Sequence, residues 1–266
     1  MPDAPPARPV TVVKVGGALV ADADAGAALW AGVRALRRTD DVVVVHGGGP
    51  QSTALARRLG HEPRIVAGRR VTTDLDLDVA KWTLRGAASA DLAAAANAHG
   101  VPAVGVAGVD GGLIRATRRP VCEVDGEPVD FGHVGDVVGV DARLLTVLMA
   151  AGFVPVVCSL AADGAGRVLN VNADTAACAL AGALGARRFL LATESGGVRR
   201  IADEPASRLD RIDAATFASG VEAGWIAGGM RPKLEVAFAA RAAGVPGVYV
   251  LAPHDLVARR EGTRVE

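Results

Sequence analysis

The chain has 266 residues, half of them hydrophobic, and its 29 basic and 29 acidic side chains leave a formal net charge of zero. This length suits one large α/β domain or two closely packed lobes, and with aromatics at only 3% the core must be aliphatic. The neutral balance argues against nucleic acid, membrane surfaces or an acidic partner, and no apolar stretch reaches the length of a membrane span. The opening residues Met1-Pro2-Asp3-Ala4-Pro5-Pro6 lack the basic and apolar regions of a secretory signal. Cys122, Cys158 and Cys178 are odd in number and have no CxxC spacing. Free thiols and a cytoplasmic location are therefore expected.

In chain order, residues 10–15 read as the first strand, 23–37 as a helix, 42–45 as a strand and 51–59 as a helix. A long helix is expected over 75–99 and a strand over 103–106. Residues 111–139 differ, with short alternating runs around Asp125-Gly126 that read as a hairpin excursion on the main sheet. A helix over 142–151 and a strand over 154–158 follow, and Asp163-Gly164-Ala165-Gly166 marks a second hairpin tip. The remaining elements are helices at 175–184, 206–219 and 233–243 and strands at 189–191 and 248–251. Short Val-rich strands alternating with Ala-rich helices predict an α/β fold, an open and mostly parallel sheet sandwiched by helices with β-hairpin excursions. Two lobes sharing one continuous sheet and dividing near residue 185 are expected.

Only Lys14, Lys81 and Lys233 among the 29 basic residues are lysine; the other 26 are arginine. A chain with this skew writes arginine wherever either cation serves, so the remaining lysines merit inspection. Lys14 precedes Gly16-Gly17, and Lys233 follows Gly228-Gly229. A compact ammonium beside glycine N–H groups suits phosphate oxygens. Lys81 lies within an expected helix and reads as a solvated charge.

Three glycine clusters follow strands: Gly16-Gly17, Gly47-Gly48-Gly49 after His46, and Gly196-Gly197 within Thr193-Glu194-Ser195-Gly196-Gly197. Ligands on open α/β sheets bind at the carboxyl ends of strands, so the clusters are expected to converge and offer N–H groups. The chain has no GxxxxGK[ST] loop, no GxGxxG after a strand and no GxSxG elbow. His46 is expected to support its glycine loop and to move no proton. In Asn170-Val171-Asn172-Ala173-Asp174, Asn172 or Asp174 can cap the following helix. The same stretch allows Asn170 to turn its amide toward a ligand and Asp174 to pair with the lysines. Arg69-Arg70 is either a bidentate carboxylate clamp or a surface pair. Asp74, Asp76 and Asp78 read as charges favourable to a helix N-terminus, with no metal role.

Taken in order, Val13-Lys14-Val15-Gly16-Gly17, His46-Gly47-Gly48-Gly49-Pro50, Gly68-Arg69-Arg70-Val71-Thr72, Gly132-His133-Val134-Gly135, Asn170-Val171-Asn172-Ala173-Asp174 and Gly228-Gly229-Met230-Arg231-Pro232-Lys233 resemble the amino acid kinase family. The likeness spans nearly the whole chain, and Gly262-Thr263-Arg264-Val265 resembles the family's C-terminal strand. It implies transfer of the γ-phosphoryl group of ATP to the side-chain carboxylate of N-acetyl-L-glutamate in arginine synthesis, with Mg2+ bound through the ATP phosphates. It implies that Lys14 and Lys233 stabilise the moving phosphoryl group and that Asp174 holds both. Gly16, Gly17, Gly47 and Gly48 would donate N–H groups to phosphate and substrate, Arg70 would bind the substrate α-carboxylate, and Asn170 would orient it. Thr193, Ser195, Gly196, Gly197, Gly228, Gly229 and Met230 would hold the nucleotide.

By the same resemblance, a lobe over 1–185 would bind the amino acid and dimerise, and a lobe over 186–266 would bind the nucleotide. About nine residues precede the first strand, where arginine-inhibited members carry a long extra helix, so a homodimer insensitive to arginine is expected, with the Ala-rich run 87–98 as its seam. Thr193 stands where the family usually has Asp, and Ser89 where it often has Asn. Rival readings within the resemblance are a kinase for carrier-linked aminoadipate, a carbamate kinase, and a catalytically silent amino-acid sensor.

Overall fold

The computed structural model describes residues 8–17, 23–258 and 262–266; the opening residues considered for a secretory signal lie outside the described residues. Strand β1 (Val10–Val15) comes first, then helix Ala23–Leu36, β2 (Asp41–His46) and helix Gly49–Arg58. A small hairpin, β3 (Ile65–Val66) with β4 (Arg69–Arg70), precedes helix Asp74–Ala80, a π-helical segment Lys81–Ala88 and helix Ser89–Ala98. Next come β5 (Ala103–Ala107), β6 (Ile114–Arg118), β7 (Cys122–Val124), β8 (Glu127–Val129) and β9 (Gly135–Val140). Helix Arg143–Ala150 leads to β10 (Val154–Cys158), β11 (Leu160–Ala162), β12 (Val168–Asn170) and helix Ala173–Ala183. The chain continues through β13 (Arg188–Ala192), β14 (Arg211–Ile212) and helices Ala214–Glu222 and Met230–Ala242. It closes with β15 (Gly247–Leu251), helix Pro253–Ala258 and β16 (Thr263–Val265).

Eight strands pair in the order β14-β16-β15-β13-β1-β2-β10-β5. Every neighbouring pair is parallel except β15 with β16. The six short apolar runs seen in the sequence are the contiguous six from β15 to β5, and their largely aliphatic character reflects burial on both faces. Alternate residues feed two cores. Val12, Val43, Val45 and Leu191 meet Ala177 and Leu180 of helix Ala173–Ala183 and Leu234 and Ala237 of helix Met230–Ala242. Val13, Val15, Val44 and Leu190 meet Leu29, Trp30 and Val33 of helix Ala23–Leu36 and Leu92 of helix Ser89–Ala98. Each buried Val or Leu stabilises by about 1.5–3 kcal/mol, so an aliphatic core suffices. The result is the expected α/β/α arrangement.

Three expectations need correction. The excursion over 111–139 does not join the main sheet: β6 and β9 pair antiparallel in a separate sheet of order β12-β11-β6-β9. Within it, Asp125-Gly126 turns only the short β7–β8 hairpin, with φ of 52° and 83° at the two residues. Residues 206–219 are not one helix; β14 intervenes and pairs with β16, and the helix starts after Asp213, whose side chain caps it. The helix over 75–99 is interrupted by the π-helical segment, a feature often found at functional sites.

The register sets up one working edge. Val15 pairs with Ala192 on one side and His46 on the other, and His46 pairs with Cys158. Four parallel strands therefore end level. The segments that begin at Thr193, Gly16, Gly47 and Ser159 leave the sheet together.

Candidate active site

Lys14 is the penultimate residue of β1, and strand alternation puts it on the same face as Val12. That face is covered by helices Ala173–Ala183 and Met230–Ala242, whose first turns carry Asp174 and Lys233. Lys14 Nζ lies 2.8 Å from Asp174 Oδ1, and Lys233 Nζ lies 3.7 Å from the same oxygen. Burial alone would push the Asp174 carboxyl up, but the two ammonium groups outweigh it and hold the carboxyl below its ordinary value. Burial lowers the Lys233 ammonium against the pull of Asp174, and repulsion from Lys14 adds to the lowering. Two lysines on one carboxylate leave a surplus positive charge at a protected edge, which favours an anion.

Asn172 explains how Asp174 is freed for this task. Its Oδ1 accepts from the N–H groups of Asp174 at 2.9 Å and Thr175 at 3.0 Å, so Asn172 is the cap and the Asp174 carboxylate turns to the lysines. Helix Met230–Ala242 has no side-chain cap, and Pro232 sits in its first turn, where a missing N–H costs little. The Met230 N–H is taken by the Ala227 carbonyl at 3.2 Å, so it is the Arg231 N–H beside Lys233 that adds to the anion site. A β-carbon at Gly228 or Gly229 would meet nothing within 4 Å. Met230 packs against the main core.

The first two glycine loops touch. A β-carbon on Gly17 would come within 2.9 Å of Pro50 Cδ and 3.2 Å of Gly48 Cα, so only glycine permits the approach. Gln51 Nε2 clamps the pair by donating to the Gly17 carbonyl at 2.6 Å. Gly47 abuts the start of the Asp174 helix, where a β-carbon would lie 3.3 Å from Ala173 Cβ. Helix Gly49–Arg58 also starts without a side-chain cap, giving a second set of open N–H groups. His46 is fully buried and donates from Nδ1 to the Gly47 carbonyl at 3.1 Å. Burial pushes its pKa down to about 4, so it braces the loop as a neutral ring.

Arg70 is tied to that loop and is not a surface residue. Its Nη2 donates to Thr53 Oγ1 at 2.6 Å and to the Gly49 carbonyl at 3.3 Å, while Arg69 remains exposed. Asn170 Nδ2 donates to Thr72 Oγ1 at 3.2 Å. The Gly132-His133 stretch stitches the two together. Thr72 N–H donates to the Phe131 carbonyl at 2.9 Å, His133 N–H to the Thr72 carbonyl at 2.8 Å, and Asn170 N–H to the His133 carbonyl at 2.9 Å. Gly132 has φ of 67°, and a β-carbon there would fall 2.3 Å from the Thr72 carbonyl oxygen. Of the three aspartates read as helix-dipole charges, Asp74 and Asp76 do stand in the first turn, Asp76 being also buried and facing Arg70, while Asp78 lies beyond that turn and pairs with Lys81.

On the C-terminal side, Thr193 Oγ1 and Ser195 Oγ are 2.9 Å apart, and Ser195 Oγ donates to the Gly197 carbonyl at 3.0 Å. This turn borders a cleft of about 530 Å³ lined by Glu194, Ser195, Gly196, Arg199, Arg208 and Asp255 among others. Gly228, Gly229 and Met230 start the Lys233 helix and are not on its walls. The residues expected around a nucleotide therefore occupy two places. A larger cleft of about 850 Å³, beside β9 and helix Arg143–Ala150, contains none of the expected residues. Ser89 is buried against Gly105 of the edge strand β5, a packing position. The sequence reading missed Gln51, Thr53, Thr72 and the buried role of Asp76. Only Asp76 had a local signal, the Thr73-x-x-Asp76 spacing of a capping box.

Residues 9–252 match the amino acid kinase family, and the chain belongs to it. It is an enzyme of the kinase class. It is 48% identical over 223 residues to the acetylglutamate kinase of Anaeromyxobacter dehalogenans, covering 82% of this chain and 83% of the relative. It is 41% identical over 251 residues to the acetylglutamate kinase of Symbiobacterium thermophilum, covering 92% and 86%. Among solved structures, smu.665 from Streptococcus mutans superposes with a TM-score of 0.80 at 25% identity, covering 96% of this chain and 98% of that one.

Proposed function

We propose that this chain transfers the γ-phosphoryl group of ATP to the side-chain carboxylate of N-acetyl-L-glutamate, giving N-acetyl-L-glutamyl 5-phosphate for arginine biosynthesis. The observation that carries the reading is Asp174 shared by Lys14 and Lys233 beside two touching glycine loops, in a chain 48% identical to an acetylglutamate kinase. A glutamate-type carboxylate, with pKa of about 4.3, is already ionised at neutral pH and attacks without a general base. Its oxygen forms a bond to the γ-phosphorus while the bond from that phosphorus to the bridging oxygen breaks, and ADP leaves with the electron pair. The difficulty is to align two anions and cancel their repulsion.

In this reading Lys14 and Lys233 take the developing charge, and Asp174 keeps their spacing. Gly16, Gly17, Gly47 and Gly48 supply N–H donors, Arg70 binds the α-carboxylate, and Asn170 orients the acceptor. Thr193, Ser195, Gly196 and Gly197 with Gly228, Gly229 and Met230 hold the nucleotide. Mg2+ would arrive on the ATP phosphates and neutralise part of their charge. Residues 1–185 would form the amino-acid lobe and 186–266 the nucleotide lobe. We place the enzyme in the cytoplasm as a homodimer. Ala90, Ala94 and Ala98, exposed on a helix that packs on the edge strand β5, support the seam.

The test is ADP release from MgATP with N-acetyl-L-glutamate, glutamate and aminoadipate as parallel acceptors and hydroxylamine to trap the acyl phosphate. Trapped product with N-acetyl-L-glutamate alone supports the reading. Binding without turnover would make the chain a sensor. No response with any of the three free acceptors would move it to the carrier-linked aminoadipate.

A further inference from the structure

Beneath Arg70 lies a polar group that the proposed reaction does not use. Asp76, in the first turn of helix Asp74–Ala80, is only 2% exposed. Its Oδ2 accepts from the Thr73 N–H at 3.2 Å, the Thr73 hydroxyl at 2.6 Å and His61 Nε2 at 3.1 Å. The Asp76 N–H returns a bond to Thr73 Oγ1 at 3.2 Å, completing a capping box. Capping is thus accomplished by one carboxylate oxygen. The other, Oδ1, is buried and faces Arg70 Nη1 across 3.6 Å, and neither atom has a hydrogen-bond partner among the described residues.

A capping aspartate needs neither deep burial nor a histidine. Burial would raise its carboxyl, but the two bonds from Thr73 and the His61 contact hold it below the ordinary value, so it stays ionised. An ionised carboxylate in this position orients the guanidinium. Arg70 carries five N–H donors in a rigid fork. Thr53 and Gly49 engage Nη2, the buried Nη1 faces Asp76, and Nε is left for a ligand.

We infer that Asp76 and His61 are positioning residues for the acceptor: they fix Arg70 in the orientation that receives a ligand carboxylate. The inference rests on the reading of Arg70 as the acceptor's carboxylate ligand. Asp76→Asn keeps an oxygen for the cap and removes the charge facing Arg70. It should raise KM for N-acetyl-L-glutamate by about tenfold or more, with KM for ATP and kcat held within about twofold. His61→Ala should raise the same KM by a smaller factor, and His61→Gln, which restores a donor, should recover most of it. Arg70→Ala serves as the reference. If it raises the acceptor KM and Asp76→Asn does not, Asp76 is only a cap and the inference fails alone. If Arg70→Ala leaves that KM unchanged, the reading of Arg70 fails and takes the inference with it. A parallel fall in kcat and both affinities would also overturn it, because a structural role moves all three. Should Asp76→Asn not fold, the His61 pair decides by the same KM split.

Discussion

Two ends of the same sheet each hold an aspartate between two cations, one fully buried and one partly buried, and they differ in how the carboxylate is used. At the N-terminal ends of the strands, the fully buried Asp40 receives Thr11 at 2.9 Å, Thr39 at 2.6 Å, Arg187 at 2.8 and 2.9 Å and Arg188 at 3.0 Å. Both oxygens are occupied, and the outer side of Arg187 is half in water. At the C-terminal ends, Asp174 offers one oxygen to two lysines that are themselves largely buried. The first cluster is closed, because arginine forks saturate the carboxylate. The second is open, because each ammonium retains donors for a third party. Burial would raise both carboxyls, and both are held below their ordinary value by the surrounding partners. Charge composition is equal at the two ends; hydrogen-bond saturation separates a closed clamp from a cluster open to an anion.

The largest effect should follow from placing the closed cluster's chemistry in the open one. Lys14→Arg keeps the charge but replaces a compact ammonium 2.8 Å from Asp174 with a planar fork. Turnover should fall by about 10³-fold, the scale of losing one preorganised electrostatic contact, with the unfolding midpoint nearly unchanged. Steady-state rates beside thermal melts check it, and near-normal turnover would remove Lys14 from the chemistry. Next comes Asp40→Ala. Arg187 and Arg188 keep much of their hydration, so losing the shared carboxylate should cost about 1–3 kcal/mol of stability, while kcat per folded molecule is unchanged. Denaturant titration with rates on the folded fraction separates the two, and loss of kcat without loss of stability would break the contrast between the ends.

The contrast also explains what could be read before folding. The six strands from β15 to β5 were visible because burial on both faces forces short, mainly aliphatic runs. Lys14 and Lys233 were visible because each is one of only three lysines and stands beside a glycine pair, and Asp174 because it closes an Asn-x-Asn-x-Asp stretch before a helix. The clamp at Asp40 was not visible, since Thr11, Arg187 and Arg188 come from distant strands and carry no local spacing signal. Gln51 was hidden for the same reason: its partner is a backbone carbonyl 34 positions away. β14 was missed because two residues, one of them the exposed Arg211, cannot outweigh an alanine-rich neighbourhood. The π-helical segment differs from an α-helix by too little over eight residues to show in the pattern.

A pH profile sharpens the open site further. Lys233 has a folded pKa below the ordinary lysine value of about 10.4, and the proposed chemistry needs it protonated. As pH rises, kcat/KM should fall through a value under that mark. Stability should run the other way: over the window between the lowered folded pKa and about 10.4 the unfolded chain binds more protons, so this group's contribution to stability rises with pH. In Lys233→Arg the guanidinium stays charged, so the alkaline limb should move up while the maximal rate drops by about tenfold to a hundredfold. A limb unmoved by that substitution would assign it to another group.

The smallest expected effect tests the reasoning that singled out the lysines at all. Lys81 meets Asp78 at 2.9 Å, with both side chains substantially exposed, three residues apart on one helical surface. Exposed pairs of this kind contribute about 0–1 kcal/mol, and an arginine can replace the ammonium there without a geometric cost. Lys81→Arg should therefore leave kcat, both KM values and the unfolding midpoint unchanged, with stability within about 0.5 kcal/mol. The other two lysines cannot tolerate the same exchange if their compact charge is what the site requires. Because Lys81 opens the π-helical segment whose Leu84 lies under Gly48, a loss of turnover in Lys81→Arg would mean that the segment itself senses this residue. Lysine retention would then report helix geometry here, and phosphate chemistry only at Lys14 and Lys233.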